Sequence, residues 1–150
     1  MSANAKTGVP HRWPWPDSLD AMSAARDYHR VLFENERVRV LVVRIKPGQI
    51  VPVHTHRWPA AVYVLSASDF IRRDQHGNLL FDSRTAGPPP ATPVAQWTGP
   101  LPPHSVENIG TAEIHLITTE VKEPICDQRG QGLEEKSRVA GIVLDTVGEG

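Results

Sequence analysis

The chain has 150 residues, a single cysteine, and sixteen basic against seventeen acidic side chains, for a net charge of −1. This balance argues against partners held by charge alone, such as nucleic acid or an anionic membrane surface. Cys126 has no partner for a disulfide within the chain, and no stretch approaches the ~20 apolar residues of a membrane helix or carries the apolar core of a secretory signal. We therefore expect one cytoplasmic domain that folds without disulfides.

Fourteen prolines and eleven glycines divide the sequence into short pieces, which favours many short strands over long helices. Residues 1–17, which carry Pro10, Pro14 and Pro16 with Trp13 and Trp15, show no period. Residues 18–26 predict a short helix capped by Asp17 or Ser18.

The remaining predicted elements are strands separated by turn signals. Gln75-His76-Gly77 predicts a hairpin between two of them, and residues 86–93, with three consecutive prolines, predict an exposed extended loop. The predicted strands cover residues 31–33, 38–45, 51–56, 61–65, 69–74, 78–82, 94–97, 105–108 and 113–121, and residues 139–144 could add another. About ten short strands must each bury one face, and a closed barrel does this while it removes exposed edges.

The sequence His54-Thr55-His56 lies in one of these predicted strands. Residues two apart in a strand share a face, so the two imidazoles would project together from Cα atoms about 6.6 Å apart. Imidazole is the commonest protein ligand for transition metals, and this separation allows both rings to reach one ion. The alternative is that both are ordinary polar residues on a solvated strand face.

Residues 48–56 and 100–110 together resemble the two motifs of the cupin family. The first cupin motif has a glycine, five residues, a pair of histidines two apart and then a glutamate, and the second ends in a histidine, three residues and an asparagine. Five residues match position by position: Gly48, His54, His56, His104 and Asn108. The glutamate is missing, because Ala60 and Ala61 stand where it is expected.

The resemblance covers roughly residues 28–122 and implies an all-β, single-domain cupin, a jelly-roll barrel also called a double-stranded β-helix. Residues 1–27 would then form an N-terminal arm and residues 123–150 a C-terminal segment. A small barrel of this kind has room for one small ligand.

The resemblance also implies a metal site, because cupins bind one ion through both motifs. The expected ligands are His54, His56 and His104, and the expected cofactor is a divalent ion of Fe, Zn, Ni or Mn. Without the glutamate, water would complete the coordination sphere. Three neutral ligands leave room for a substrate and dioxygen on iron(II), as in the cupin-like cysteine dioxygenase and acetylacetone-cleaving dioxygenase. The alternative is a relict site that binds metal weakly or not at all.

Three further residues are candidates for the wall of a substrate pocket. Arg57 and Trp58 follow the histidine pair and could hold and stack on a ligand at the barrel mouth, and Tyr63 could reach the cavity from the next strand. A surface arginine and two packing aromatic side chains are the alternative. Of the remaining polar residues, His115 and Glu107 are expected to face away from the site, whereas His11, His29 and His76 look like surface residues.

Three classes of function stay open. The chain could be a metal-dependent dioxygenase, or a related lyase or isomerase, acting on a small oxygenated molecule. It could instead be a non-catalytic module that binds a small ligand, or an oligomeric accessory protein. A homodimer is expected because Trp13 and Trp15 make the proline-rich arm apolar enough to cover a neighbour. In the competing interpretation the arm folds back over its own barrel.

Overall fold

The computed structural model describes residues 13–122, and nearly all of its regular structure is β-strand. A 3-10 turn (Asp17–Leu19) and one turn of helix, α1 (Ala21–Ala24), precede the strands, and a second 3-10 turn (Ser83–Thr85) follows β6. The strands are β1 (His29–Glu34), β2 (Val38–Ile45), β3 (Ile50–His56), β4 (Ala60–Ser66), β5 (Phe70–Asp74), β6 (Leu79–Asp82), β7 (Val94–Thr98), β8 (Leu101–Asn108) and β9 (Ile114–Val121). None of the helical segments in this part of the chain is long and apolar enough to cross a membrane.

The strands form two antiparallel sheets that face each other across a central cavity. One sheet has five strands in the order β1-β2-β9-β4-β7, and the other has four in the order β3-β8-β5-β6. Strands distant in sequence are therefore neighbours, as β2 and β9 are along their whole length. The expected all-β fold is confirmed, because this strand order is that of a jelly roll, or double-stranded β-helix.

Alternation along each strand decides which side chains face the interior. In β4, Ala60, Val62 and Val64 are buried, whereas Ala61 and Tyr63 point to solvent. Because successive side chains of a strand point to opposite faces, this period of two produces one apolar inner surface per strand. A second apolar cluster joins the two sheets; its buried members are Ala25, Val43, Ile45, Val51 and Ile114.

Asn108 of the second motif has a structural role. Its side chain is fully buried; Nδ2 donates to the carbonyls of Ile45 and Ala112 at 2.8 Å each, and Oδ1 accepts from the Gly110 amide. These bonds tie the end of β8 to β2 and to the turn before β9. A side chain at Gly110 would collide with the Ser68 hydroxyl at 2.2 Å and the Asp69 amide nitrogen at 2.7 Å, so the turn requires glycine.

The described part of the N-terminal arm folds back onto its own barrel. The helix is shorter than predicted and is capped by Asp20, whose Oδ1 accepts from the Met22 amide, not by Asp17 or Ser18. The capping residue differs because Asp17–Leu19 already form a 3-10 turn. Ala21 and Ala25 are buried, and Asp20 bridges to Thr55 on the outer side of β3.

The strand predictions are accurate in the barrel and fail mainly at prolines. β2 has the predicted bounds, and the hairpin turns at Gly77, which has φ +87°. β8 begins at Leu101, earlier than predicted, and runs through Pro102 and Pro103. Prolines lack an amide donor, and the β3–β8 register shifts twice in this region, which lets the strand accommodate them. The predicted strand at 139–144 lies outside the described residues.

Candidate metal centre

Four histidines from both sheets converge at one end of the cavity. His29 begins β1 in the five-stranded sheet, whereas His54 and His56 on β3 and His104 on β8 belong to the four-stranded sheet. His54 pairs directly with His104 across the β3–β8 ladder. His29, His54 and His104 are 4%, 2% and 3% exposed, and the His56 side chain is 12% exposed.

The imidazole rings lie at the separations expected for ligands of one ion. Ring centres are 4.9 Å apart for His29 and His54, 5.3 Å for His29 and His56, 5.1 Å for His54 and His56, and 4.4 Å for His54 and His104. Two imidazoles at tetrahedral positions on a zinc ion would have centres about 5 Å apart, given a Zn–N distance of about 2.0–2.1 Å. The pair His56 and His104 is wider, at 5.9 Å.

Every one of these histidines has its Nδ1 engaged by an oxygen. Nδ1 lies 2.9 Å from the Ala25 carbonyl for His29, 2.7 Å from the Pro52 carbonyl for His54, and 2.8 Å from the Pro102 carbonyl for His104. In His56, Nδ1 lies 2.8 Å from a carboxylate oxygen of Glu120. Carbonyl and carboxylate oxygens only accept, so each Nδ1 carries the proton and each neutral ring keeps its lone pair on Nε2.

The donor set suits a transition metal. The ligand atoms of His29, His54 and His56 all lie within 4.8 Å of one another, and the His104 ring, tilted by 49°, lies beside that of His54. Nδ1–H bonds to carbonyls and a carboxylate are the arrangement that orients metal-binding imidazoles in proteins. Nitrogen donors alone favour Zn, Cu, Fe or Ni over Mg or Ca.

Burial keeps His29, His54 and His104 neutral and therefore able to bind an ion. It lowers the pKa of His29 to about 4 and that of His54 to about 2, with the neighbouring His56 as the next cause in each case. Burial, with His54 and then Arg72 nearby, also lowers the pKa of His104 well below its usual value. At neutral pH these three imidazoles hold lone pairs and do not compete with a metal through their own protons.

Glu120 connects the site to a buried ionic network. It is fully buried, and its two oxygens contact Nδ1 of His56 and Nε of Arg39. Arg39 in turn donates twice to Asp20, at 3.0 Å each. Burial would raise the pKa of Glu120, but the hydrogen bonds from His56 and Arg39 hold it below its usual value. Glu120 pairs across the β4–β9 ladder with Ala60, which stands at the position of the cupin motif's glutamate. The Glu120 carboxylate contacts Nδ1 of His56 and so orients that ring.

A cavity of about 140 Å³ extends from the histidines between the sheets. Its walls are mostly apolar, with Val43, Val62, Phe70 and Phe81 among them, and residues 86–89 of the proline-rich loop cover one side. Trp58 lines the cavity. Its ring also lies 4.9 Å from the Arg39 guanidinium carbon.

Arg57 and Tyr63 are not among the residues that line the cavity. The Arg57 guanidinium reaches outward to Asp17 at 3.2 Å, and Tyr63 is 43% exposed because it alternates with the inward-facing Val62 and Val64. Arg72 of β5 is the arginine that reaches the cavity. Its side chain is buried, and burial lowers its pKa to about 10, so it stays charged at neutral pH.

The prediction for His29 was wrong, whereas other assignments agree with the structure. His29 belongs to the buried cluster and not to the surface. His115, Glu107 and His76 lie outside the cavity wall, and His76 is exposed in the hairpin turn. His11 and Cys126 fall outside the described residues.

No family model matches the chain, and no curated protein does. A cupin domain from Bordetella pertussis Tohama I has 21% identity and a TM-score of 0.49, covering 63% of this chain and 92% of that one. An RmlC-like cupin from Desulfovibrio desulfuricans has 17% identity and a TM-score of 0.41, covering 80% and 95%. The polyketide cyclase RemF from Streptomyces resistomycificus has 19% identity and a TM-score of 0.42, covering 63% and 64%. These likenesses are loose, so the fold assignment rests on the strand order described above.

Proposed function

We propose that the protein is a small-molecule-binding cupin with a divalent metal ion held by His29, His54, His56 and His104. The observation that supports this most strongly is the set of Nδ1 hydrogen bonds, which leaves all four Nε2 lone pairs for the centre of the cluster. Among residues 13–122 no hydrogen bond involves these Nε2 atoms, so they are free to bind an ion in the cavity.

The ion would supply a Lewis acid for an oxygen-bearing ligand or, if it is iron, a redox centre for reaction with dioxygen. The protein's own residues do the rest. The carbonyls of Ala25, Pro52 and Pro102 and the Glu120 carboxylate fix the imidazole orientations. The apolar walls exclude water from the bound molecule. A dioxygenase, or a related lyase or isomerase, is the enzyme class that this arrangement favours.

Metal content tests the proposal. Protein purified without chelators or nickel resin should contain about one equivalent of a transition metal per chain by elemental analysis, or take up one equivalent of zinc when it is titrated. Failure to bind zinc, cobalt or iron at micromolar concentration would contradict the metal site. A protein that binds no metal but still binds small ligands in the cavity would be a non-catalytic binding module.

A homodimer is a second part of the proposal. β1 is an edge strand of the five-stranded sheet, and its Leu32 and Phe33 are 46% and 54% exposed on the surface of residues 13–122. Exposed apolar edges favour pairing with another chain. The arm from residue 13 onward packs on its own barrel, so the contact we expect is through strand edges. Light scattering should give twice the 16.6 kDa chain mass, and a monomer at micromolar concentration would exclude it.

A further inference from the structure

Arg72 is a buried cation without a counter-charge among the described residues. It is 9% exposed, and its Nε has no hydrogen-bond partner within residues 13–122. None of the ion pairs among residues 13–122 includes Arg72. Burying an unpaired charge is costly, so an arginine in this position calls for a missing partner.

The position of Arg72 directs it at the metal site. On β5, Asp74 pairs with His104 and Arg72 pairs with Val106, one step further along the inner face of β8. Two residues along a strand span about 6.6 Å, so the guanidinium belongs to the layer next to the histidines. Arg72 and Val106 both line the cavity, and the charge of Arg72 acts on His54 and His104.

The rest of the cavity wall offers no competing partner. Among the residues that line the cavity, the acidic one is Asp69. Its side chain is exposed and accepts a hydrogen bond from the Ser83 hydroxyl at 3.0 Å. Within the described residues, the cavity therefore combines imidazoles, apolar walls and the buried guanidinium of Arg72. Such a site attracts an anion with an apolar body.

We propose that Arg72 binds the carboxylate of a small organic acid whose remaining polar group reaches the histidine cluster and whose apolar tail packs on Val62 and Phe70. A guanidinium pairs with a carboxylate through two parallel hydrogen bonds, so one carboxylate would neutralise the charge of Arg72. In the metal-free protein a phosphate ester is disfavoured, because Arg72 would offset only one of its two negative charges. This inference deepens the proposed function, since it names the substrate class of that cavity.

The experiment compares two adjacent arginines in the full-length protein. Arg72→Gln removes the buried charge, whereas Arg73→Gln removes a charge from the same strand but from outside the cavity. The probe is 4-methyl-2-oxopentanoate, which has a carboxylate, an adjacent oxygen donor and an apolar tail. Its neutral amide and methyl phosphate are the matched comparisons. Calorimetry measures binding to metal-free protein and, separately, to zinc-loaded protein.

The metal-free protein should bind the carboxylate, and Arg72→Gln should weaken that binding about 10- to 100-fold, the loss expected for charged hydrogen bonds. Arg73→Gln should match the wild type within about twofold, as expected for a surface change. Arg72→Met should lose carboxylate binding in the same way and should melt at a higher temperature than the wild type without ligand, so its loss of binding is not loss of fold. The carboxylate should raise the melting temperature of the wild type and of Arg73→Gln, and should raise that of Arg72→Gln less.

Equal binding by wild type and Arg72→Gln, equal binding of the amide, or no binding of the carboxylate would overturn the inference. Tighter binding of methyl phosphate, with the same dependence on Arg72, would overturn the assignment to organic acids. The metal-free measurement separates the two proposals. If zinc does not bind but the carboxylate still requires Arg72, the metal site fails and the role of Arg72 stands.

Discussion

Replacement of His54 by alanine should reduce zinc affinity by more than about 100-fold, because loss of a residue that only orients a ligand already reduces metal affinity about 10- to 100-fold. His54 contributes the ring nearest to the other three, at 4.4 to 5.1 Å between centres. Zinc affinity is measured by competition with a chromophoric chelator. The same loss is expected for His29→Ala, His56→Ala and His104→Ala.

His115→Ala is the matched control, since His115 lies on β9 outside the cavity wall. It should bind zinc like the wild type. Circular dichroism should report folded protein for all five variants, because the apolar core does not depend on the metal cluster. A cluster variant that retains wild-type zinc affinity would remove that histidine from the proposed ligand set, and retention by His54→Ala would contradict the site.

The second large effect is expected at Arg39. Arg39→Met should lower the free energy of unfolding by about 3–5 kcal/mol, the usual effect of removing one partner from a buried ion pair. The change leaves the fully buried Glu120 with His56 as its partner and leaves Asp20 without its two bonds from the guanidinium. Urea denaturation followed by circular dichroism measures the difference.

Arg44→Met is the control on the same strand. Arg44 pairs with Glu113, but its side chain is 56% exposed, so its loss should change stability by less than about 1 kcal/mol. Equal effects of the two substitutions would indicate that the Asp20–Arg39–Glu120–His56 network does not stabilise the fold.

The sequence predicted His54, His56 and His104 because their spacing resembles a motif and because alternation in a strand is local. His29 could not be predicted in this way. His29 approaches the other three histidines because β1 lies in the sheet opposite β3 and β8. The local sequence Tyr28-His29-Arg30 does not indicate which strands face each other across the barrel. Its burial depends on tertiary packing, including the Ala25 carbonyl that accepts from it.

The arginines illustrate the same limit. Alternation indicates that Arg72 or Arg73 faces inward, but the choice depends on register, and β5 and β6 shift register between these two residues. Arg57 looked suitable because it follows the histidine pair, yet the chain leaves β3 at His56 and turns the side chain toward Asp17. Tyr63 was ambiguous because both faces of β4 carry apolar residues.

X-ray absorption at the zinc edge of the loaded protein tests the central claim most directly, because it reports the atoms bound to the metal. Four histidine ligands predict nitrogen neighbours at about 2.0–2.1 Å, with the outer-shell scattering of imidazole rings and no sulfur. The His29→Ala protein should lose one imidazole from this pattern and keep three. A spectrum of the wild-type protein with fewer than three imidazoles would contradict the histidine site.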